Sequence, residues 1–208
     1  MLKEDRNMKA HNKASSWFDA LYEKNRSTQE NIPWARQEAN PWLLEYLDKN
    51  KIHQSKALVI GCGLGDDAKA LADAGYSVLA IDVSLSALEQ AKERFDDKNI
   101  VFEKQDIFDM PQEYHQNFDL VFEALTIQSL PIEFREKMIE AIANTLASKG
   151  KLLLYAHKRE HQFDGPPWPL TESEVSLFKE HGLNELSYEI NNEPSPLSNS
   201  RFRVVYER

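Results

Sequence analysis

Short apolar runs alternate with longer amphipathic stretches along most of this chain. Five runs have the length and apolar content of buried strands: residues 57–60, the run that ends at Asp82, and residues 100–102, 118–122 and 151–157. Strands that alternate with helices are typical of a parallel sheet covered on both faces, so the pattern predicts an α/β fold. Residues 183–190 and 202–206 predict an antiparallel hairpin, which brings the count to seven strands.

The predicted helices begin at recognisable capping signals. Asn40, Ser84 and Thr171 are N-cap residues, and Glu174 completes a capping box with Thr171. The first predicted helix begins at Ser15 with an apolar stripe of Trp17, Phe18, Leu21 and Tyr22, and the second begins at Pro41. The third begins near Asp66, and the fourth begins at Leu85 with Leu85, Leu88 and Ala91 facing inward. The last two run from Pro131 to Leu146 and from Thr171 to about His181.

The stretch from residue 56 to residue 82 reads as strand, glycine-rich turn, helix and strand. Gly61, Gly63 and Gly65 alternate directly after the first strand, where the chain must turn sharply and leave bare backbone for a ligand. The next helix begins near Asp66 and directs its unpaired N–H groups at this turn. Asp82 follows Gly61 by about 20 residues, where a carboxylate can accept hydrogen bonds from both hydroxyls of a ribose. The unit therefore predicts a nucleoside-binding site.

The residues that follow the glycines indicate which nucleoside binds. A dinucleotide site needs a third small residue where Asp66 stands, so that the helix can approach a pyrophosphate. Asp66 and Asp67 instead place two carboxylates at the helix start, where they would repel an anionic group. A cofactor with a ribose, a cationic sulfonium and an ammonium group fits this acidic position, and S-adenosylmethionine is such a molecule.

Further site candidates follow the later strands. We expect the Asp106 carboxylate to accept from the amine of an adenine ring, with Ile107 packed on that ring. Glu123 closes the fourth strand and either faces the ligand crevice or acts as a cap or ion-pair partner at the surface. The long loop after residue 157 contains the stiff apolar stretch 165–169, which we expect to form a wall of a substrate pocket.

Composition narrows the possible partners. The formal net charge of −9 argues against a nucleic-acid backbone or an anionic membrane and favours a small-molecule substrate. Cys62 is the single cysteine, so no disulfide framework and no cysteine-based metal site is expected, as in a cytoplasmic protein. We also expect no signal peptide and no membrane-spanning segment.

The chain resembles class I S-adenosylmethionine-dependent methyltransferases over nearly its whole length. More narrowly, it resembles the thiopurine methyltransferase-like group, which includes halide and thiol methyltransferases and relatives of tellurite-resistance methyltransferases. The motifs that carry the resemblance are Ile32-Pro33-Trp34, Asn40-Pro41, Gly61-Cys62-Gly63-Leu64-Gly65-Asp66-Asp67, Ile81-Asp82-Val83-Ser84, residues 118–123 and Gly165-Pro166-Pro167-Trp168.

The resemblance implies a doubly wound, Rossmann-like seven-stranded sheet, mostly parallel with an antiparallel last strand. It implies one methyltransferase domain over residues 1–208, with an N-terminal helical lid (1–52) and a core (56–208). The expected contacts to S-adenosylmethionine, or to its product S-adenosylhomocysteine, are Trp34, Gly61, Cys62, Gly63, Gly65, Asp82, Val83, Asp106, Ile107 and Glu123. Trp17 is expected beside Trp34, and the acceptor side is assigned to Trp17, His157, Pro167 and Trp168.

Several alternatives stay open at this level. A thiol or another soft nucleophile is the expected acceptor, with O- or N-methylation of a small metabolite as the alternative. A nucleotide-dependent oxidoreductase or a non-catalytic cofactor-binding protein would share much of the pattern. No catalytic residue is assigned, although His157, Arg159 and His161 stand where a proton or an anionic substrate could be received. The protein is expected to be a monomer or a homodimer.

Overall fold

A seven-stranded sheet in the order β3-β2-β1-β4-β5-β7-β6 forms the centre of the molecule. The computed structural model describes residues 17–26, 32, 35, 37–50, 55–161, 165–196 and 198–208. The strands are β1 (Lys56–Ile60), β2 (Ser77–Asp82), β3 (Ile100–Lys104), β4 (Phe118–Ala124), β5 (Leu146–His157), β6 (Asn184–Asn192) and β7 (Ser200–Glu207). The neighbours from β3 to β5 pair in parallel, and β7 pairs antiparallel with both β5 and β6. This confirms the predicted fold class.

Among the described residues, five α-helices from residue 41 onward flank the sheet. They are α1 (Pro41–Lys49), α2 (Asp66–Asp73), α3 (Leu85–Arg94), α4 (Arg135–Thr145) and α5 (Glu172–Glu180), and residues 17–24 are also helical. The caps follow the sequence signals, because the Asn40 side chain accepts from the Trp42 N–H at 2.9 Å and Ser84 accepts from the Ala87 N–H. The capping box of Thr171 with Glu174 is present at the start of α5.

Three predicted details are wrong. The helix predicted from Pro131 begins as a short 3₁₀ turn, Ile132–Phe134, and becomes α-helical only at Arg135. Strand β5 begins at Leu146 rather than Lys151, since the chain pairs with β4 as soon as α4 ends. Leu85 is 48 % exposed, because the first residue of α3 points away from the sheet while Leu88 is buried.

The strand order determines where a ligand can bind. The chain runs from β1 outward to β2 and β3, and then returns to place β4 on the other side of β1. A crevice opens beyond the carboxyl ends of the strands at such a reversal of order. Because β7 is antiparallel, its first residues lie at this same edge, where Arg201 pairs with His157 of β5.

The five labelled helices have 8 to 11 residues each. Within the part of the chain that the structure describes, none is long and apolar enough to cross a membrane.

Candidate active site

The carboxyl ends of β1 to β5 and the start of β7 surround a cavity of about 900 Å³. The predicted site residues that line it are Trp17, Gly61, Cys62, Gly63, Asp82, Val83, Asp106, Ile107, His157 and Pro167. Gly65, Glu123 and Trp168 do not line it. Trp34 lies outside the described residues.

The turn after β1 brings bare backbone to the cavity floor. Gly61 and Gly63 have φ values of +62° and +53°, a region that favours glycine. A Cβ at Gly61 would overlap the side chain of Thr126, and one at Gly63 would lie 2.8 Å from the hydroxyl of Tyr22. Both glycines are therefore required by backbone conformation and by close neighbours.

Gly65 has a different role from the other two glycines. Its φ is +87°, and it is the N-cap of α2. A Cβ there would meet the Phe102 ring at 2.9 Å and Ala91 at 3.1 Å. Gly65 therefore allows α2 to pack closely against β3 and α3, and it does not form part of the cavity wall.

Asp82 lies at the end of β2 and is 8 % exposed. Its Oδ2 accepts from the Gly63 N–H at 2.9 Å and its Oδ1 accepts from the Ser84 N–H at 2.9 Å. Burial raises the pKa of this carboxyl, and the backbone N–H donors oppose that shift. Each carboxylate oxygen can accept a second hydrogen bond, so Asp82 can bind a diol from the cavity while it orders the glycine turn.

The residues after β3 continue the floor beyond Asp82. The Asp106 side chain accepts from the Phe108 N–H at 3.0 Å, which turns the chain into the short 3₁₀ helix Ile107–Asp109. Ile107 is 7 % exposed and contributes an apolar surface next to that carboxylate. The pair places one hydrogen-bond acceptor and one apolar surface side by side in the cavity.

The two carboxylates at the start of α2, Asp66 and Asp67, have different partners, which the sequence did not predict. Arg94 forms a two-pronged ion pair with Asp66, with N–O distances of 2.7 and 2.6 Å. This pair compensates the charge of Asp66, and the Asp67 carboxylate accepts from the Asn40 N–H at 2.7 Å. Glu38 also lines this end of the cavity. The ion pair with Arg94 therefore reduces the contribution of Asp66 to the acidic character of this end.

The helical residues 17–24 cover the cofactor end of the cavity. Asp19 accepts from the Ser84 hydroxyl at 2.8 Å and from the Ser86 N–H at 3.0 Å, so it adds a second cap to α3. The Ser86 N–H is the largest cause of a lowered pKa at Asp19. Tyr22 is 3 % exposed, and its backbone carbonyl accepts from Gln90 at 3.2 Å.

The opposite end of the cavity is bounded by β5, β7 and the loop between β6 and β7. His157 and Arg201 are cross-strand neighbours, and each is 5 % exposed. Arg201 donates to the Ser200 carbonyl at 3.2 Å. Nearby, the Tyr155 hydroxyl donates to Glu193 at 2.5 Å, and Glu193 also pairs with Arg203. A histidine and a guanidinium group thus face the cavity where the second substrate would lie.

Pro166 and Pro167 form the wall beside this end, as the stiff loop sequence predicts. Trp168 turns away from the cavity and packs over Gly165, whose missing Cβ leaves room for the indole ring. Arg159 and His161 do not line the cavity either.

Glu123 is fully buried and lies behind the wall rather than in it. Its Oε1 accepts from the Ile127 N–H at 2.7 Å, and its Oε2 has no hydrogen-bond partner among the described residues. Burial raises the pKa of this carboxyl to about 7, against the opposing effects of backbone donors and of Arg135. Glu123 is therefore a buried group that does not line the cavity.

Sequence reasoning missed several residues that line the cavity: Tyr22, Glu38, Thr126, Gln128, Tyr155, Glu193 and Arg201. Tyr22 was recognised only as part of an apolar helical stripe, and the other six belong to none of the recognised motifs. For Arg201 the predicted antiparallel last strand was a usable signal. An antiparallel β7 brings Arg201, near the start of this strand, beside His157 at the end of β5.

The sequence matches that of a known protein family. Residues 22–196 match the sequence profile of the thiopurine S-methyltransferase family. The chain belongs to this family. The matched range includes the glycine turn, Asp82, Asp106 and the loop of Pro166 and Pro167.

Curated relatives of this family include plant enzymes. Thiocyanate methyltransferase 1 of Brassica oleracea is 30 % identical over 68 % of this chain and 63 % of its own length. Thiocyanate methyltransferase 1 of Arabidopsis thaliana is 29 % identical over 73 % of this chain and 66 % of its own length. The chain thus spans slightly less than two thirds of these relatives.

The fold is shared with solved methyltransferases. The N-methyltransferase NodS from Bradyrhizobium japonicum WM9, in complex with S-adenosyl-L-homocysteine, superposes with a TM-score of 0.71. The two chains are 20 % identical, over 91 % of this chain and 97 % of NodS. The likeness shows that this chain shares the fold of NodS.

In residues 17–208, apart from the gaps in the description, no group of three or more His, Cys, Asp or Glu side chains is arranged to bind a metal ion.

Proposed function

We propose that this protein is a cytoplasmic S-adenosylmethionine-dependent methyltransferase that acts on a small-molecule thiol or a similar soft nucleophile. The observation that carries the proposal is the shared cavity: a glycine cradle with Asp82 at one end, and His157 with Arg201 at the other. The thiocyanate methyltransferases among the relatives support a soft acceptor. The single cysteine, Cys62, supports a reducing compartment.

The cofactor end fits S-adenosylmethionine in shape and in charge. Gly61 and Gly63 line the cavity with bare backbone, and Asp82 presents carboxylate oxygens for the ribose hydroxyls. The negative charges of Asp67 and Glu38 favour a ligand that carries an ammonium and a sulfonium group. When bound, S-adenosylmethionine supplies a methyl group attached to a positively charged sulfur.

The acceptor end fits an anionic or strongly polarisable nucleophile. Arg201 and His157 supply N–H donors at a buried position, and a guanidinium group favours the thiolate over the thiol. A thiolate that is already ionised needs no general base, so alignment and exclusion of water supply most of the rate acceleration. Pro166 and Pro167 restrict the space in which the acceptor can move.

Calorimetric titration tests the cofactor assignment first. We expect the purified protein to bind S-adenosylmethionine and S-adenosylhomocysteine and to show no heat with NADH. A methyl-transfer assay with matched thiols, halides, amines and hydroxyl compounds then tests the acceptor class, and turnover is expected with thiols. Binding of NADH alone would overturn the proposal, and turnover restricted to amines or hydroxyl compounds would overturn its acceptor class.

We further propose that the N-terminal residues form a lid whose attachment depends on Asp19. Replacing Asp19 with alanine removes the acceptor for Ser84 and Ser86 and leaves Tyr22 less firmly placed over Gly63. The dissociation constant for S-adenosylmethionine is expected to rise about threefold to tenfold, because the closed arrangement becomes less populated. Calorimetry measures the change, and limited proteolysis of the N-terminal residues should become faster.

Asp48→Ala is the matched control, because Asp48 is exposed in α1 and does not line the cavity. Equal affinities for Asp19→Ala and Asp48→Ala would contradict a lid held by Asp19.

A further inference from the structure

The wall segment Pro166–Pro167–Trp168–Pro169 has little backbone hydrogen-bonding capacity of its own. Three of its four residues are prolines, which lack an N–H group. Its single backbone donor, the Trp168 N–H, bonds the Gln128 carbonyl at 2.6 Å. The position of this wall in the cavity must therefore depend on groups that bind its carbonyl oxygens.

Two arginine side chains bind consecutive carbonyls of this segment. Arg135, at the start of α4, donates from Nη2 to the Trp168 carbonyl at 3.0 Å. Arg159, in the strand-end loop, donates from Nε to the Pro169 carbonyl at 2.9 Å. The two guanidinium groups approach the segment from different elements, so they fix it relative to both α4 and the end of β5.

Glu174 joins the two arginines. Its Oε1 lies 3.7 Å from Nε of Arg135, and its Oε2 lies 3.3 Å from Nη2 of Arg159. The same carboxylate accepts from the Thr171 N–H at 2.7 Å in the capping box of α5. Glu174 is therefore fixed by its own helix, and it orients both guanidinium groups toward the wall.

The interior side of this cluster is buried and makes few hydrogen bonds. Arg135 is 4 % exposed, and its Nε and Nη1 have no hydrogen-bond partner within the described part of the chain. Burying a guanidinium group with so few hydrogen bonds costs free energy of folding. The Trp168 carbonyl and the charge of Glu174 therefore stabilise Arg135 more than they would at the surface. On its other side lies Glu123, whose charge acts favourably on Arg135.

The cluster also reaches the acceptor end of the cavity. The backbone carbonyl of Gln128 accepts from the Trp168 N–H, and its side-chain Oε1 accepts from the backbone N–H of His157 at 2.8 Å. The wall, the turn of Gln128 and the end of β5 are thus linked by hydrogen bonds. None of the three residues in the arginine–glutamate clamp (Arg135, Arg159 and Glu174) lines the cavity itself.

We propose that the clamp is a positioning device that fixes the wall of the acceptor site and thereby determines the affinity for the acceptor. The clamp does not contact the cofactor end, so cofactor affinity is independent of it. The acceptor part of this inference rests on the proposed methyltransferase function, whereas the effect on the wall does not.

The test compares Arg135→Met with Arg135→Lys and with the control Arg208→Met. Arg208 also donates to a backbone carbonyl, that of Ala143, but at the far end of the same helix. Hydrogen exchange of residues 165–170 is measured by mass spectrometry and reports on the N–H groups of Gly165, Trp168 and Leu170, because the other three residues are prolines. The acceptor KM and the dissociation constant for S-adenosylmethionine are measured alongside it. Methionine retains the apolar stem of Arg135, and lysine retains a positive charge.

We expect Arg135→Met to speed exchange of residues 165–170 and to raise the acceptor KM, each by about tenfold. Cofactor affinity should stay within about twofold. Arg135→Lys should restore part of both effects, and Arg208→Met should show neither.

Unchanged exchange in Arg135→Met would overturn the clamp. Faster exchange with an unchanged acceptor KM, or an equal loss of cofactor affinity, would overturn its role at the acceptor site. Absence of turnover in the unaltered protein with every acceptor would instead refute the proposed function, and the exchange measurement would still decide whether the clamp fixes the wall.

Discussion

Replacing Asp82 with alanine is expected to weaken binding of S-adenosylmethionine about ten- to a hundredfold. The carboxylate is the acceptor proposed for the ribose hydroxyls, and hydrogen bonds to charged groups contribute roughly 1.5–3 kcal/mol. The substitution also leaves the Gly63 and Ser84 N–H groups without their present acceptor, so the glycine turn loses an internal support. Calorimetric titration with S-adenosylmethionine measures the change in affinity.

Two further variants separate these contributions. Asp82→Asn keeps one oxygen acceptor and the shape of the side chain, so its loss of affinity should be smaller than that of Asp82→Ala. Asp73→Ala removes an exposed carboxylate at the far end of α2 and should bind the cofactor as the unaltered protein does. Circular dichroism establishes that each variant is folded. Full affinity in folded Asp82→Ala would show that the cofactor site has been placed wrongly.

Replacing Glu123 with glutamine is expected to change how stability depends on pH. Burial raises the pKa of Glu123 from an ordinary 4.5 to about 7. Between these values the folded protein holds a proton that the unfolded chain releases, so the contribution of Glu123 to stability is full below about pH 4.5. That contribution is lost as the pH rises through about 7.

The expected size of this effect follows from the same linkage. One pH unit of pKa difference corresponds to about 1.4 kcal/mol, so the unaltered protein should lose roughly 2–3 kcal/mol relative to Glu123→Gln between about pH 5 and about pH 8. Urea unfolding of both proteins at each pH gives the two free energies of unfolding. Glu133→Gln, at an exposed position of the neighbouring turn, controls for removal of a carboxylate in general.

Parallel stability curves for the unaltered protein and Glu123→Gln would mean that Glu123 titrates alike in the folded and unfolded states. A widening difference in the expected direction would support a protonated Glu123 behind the acceptor wall near neutral pH. It would also bear on the clamp, because the charge of Glu123 acts on Arg135.

Charge is distributed unevenly along the cavity. Asp82, Asp67 and Glu38 lie at the cofactor end, whereas Arg201 lies at the other end beside His157, where the Glu193 carboxylate is paired with Arg203. A cationic donor and an anionic acceptor would each be attracted to the end where the proposed reaction requires it. The arrangement thus favours productive orientation of both substrates before any bond changes.

Much of the fold was predictable because its signals are local. The apolar runs predicted the strands, and the N-cap residues Asn40, Ser84 and Thr171 predicted the starts of three helices. The glycine turn and Asp82 also lie within one continuous stretch, since backbone conformation and strand length are set by neighbouring residues. For that reason the cofactor end of the cavity could be proposed before the structure was known.

The acceptor end depended on contacts between distant parts of the chain. Arg201 reaches His157 only because β7 is antiparallel and adjacent to β5, and Arg94 compensates Asp66 only because α3 packs beside α2. Glu123 lies in β4, one residue before the strand ends, and only its contacts with distant segments decide that it is fully buried. The sequence by itself determined the sheet, the caps and the glycine turn, since those depend on local geometry. Tertiary structure alone decided which charges are compensated and which side chains face the acceptor, because pairing and burial arise between segments far apart in the chain.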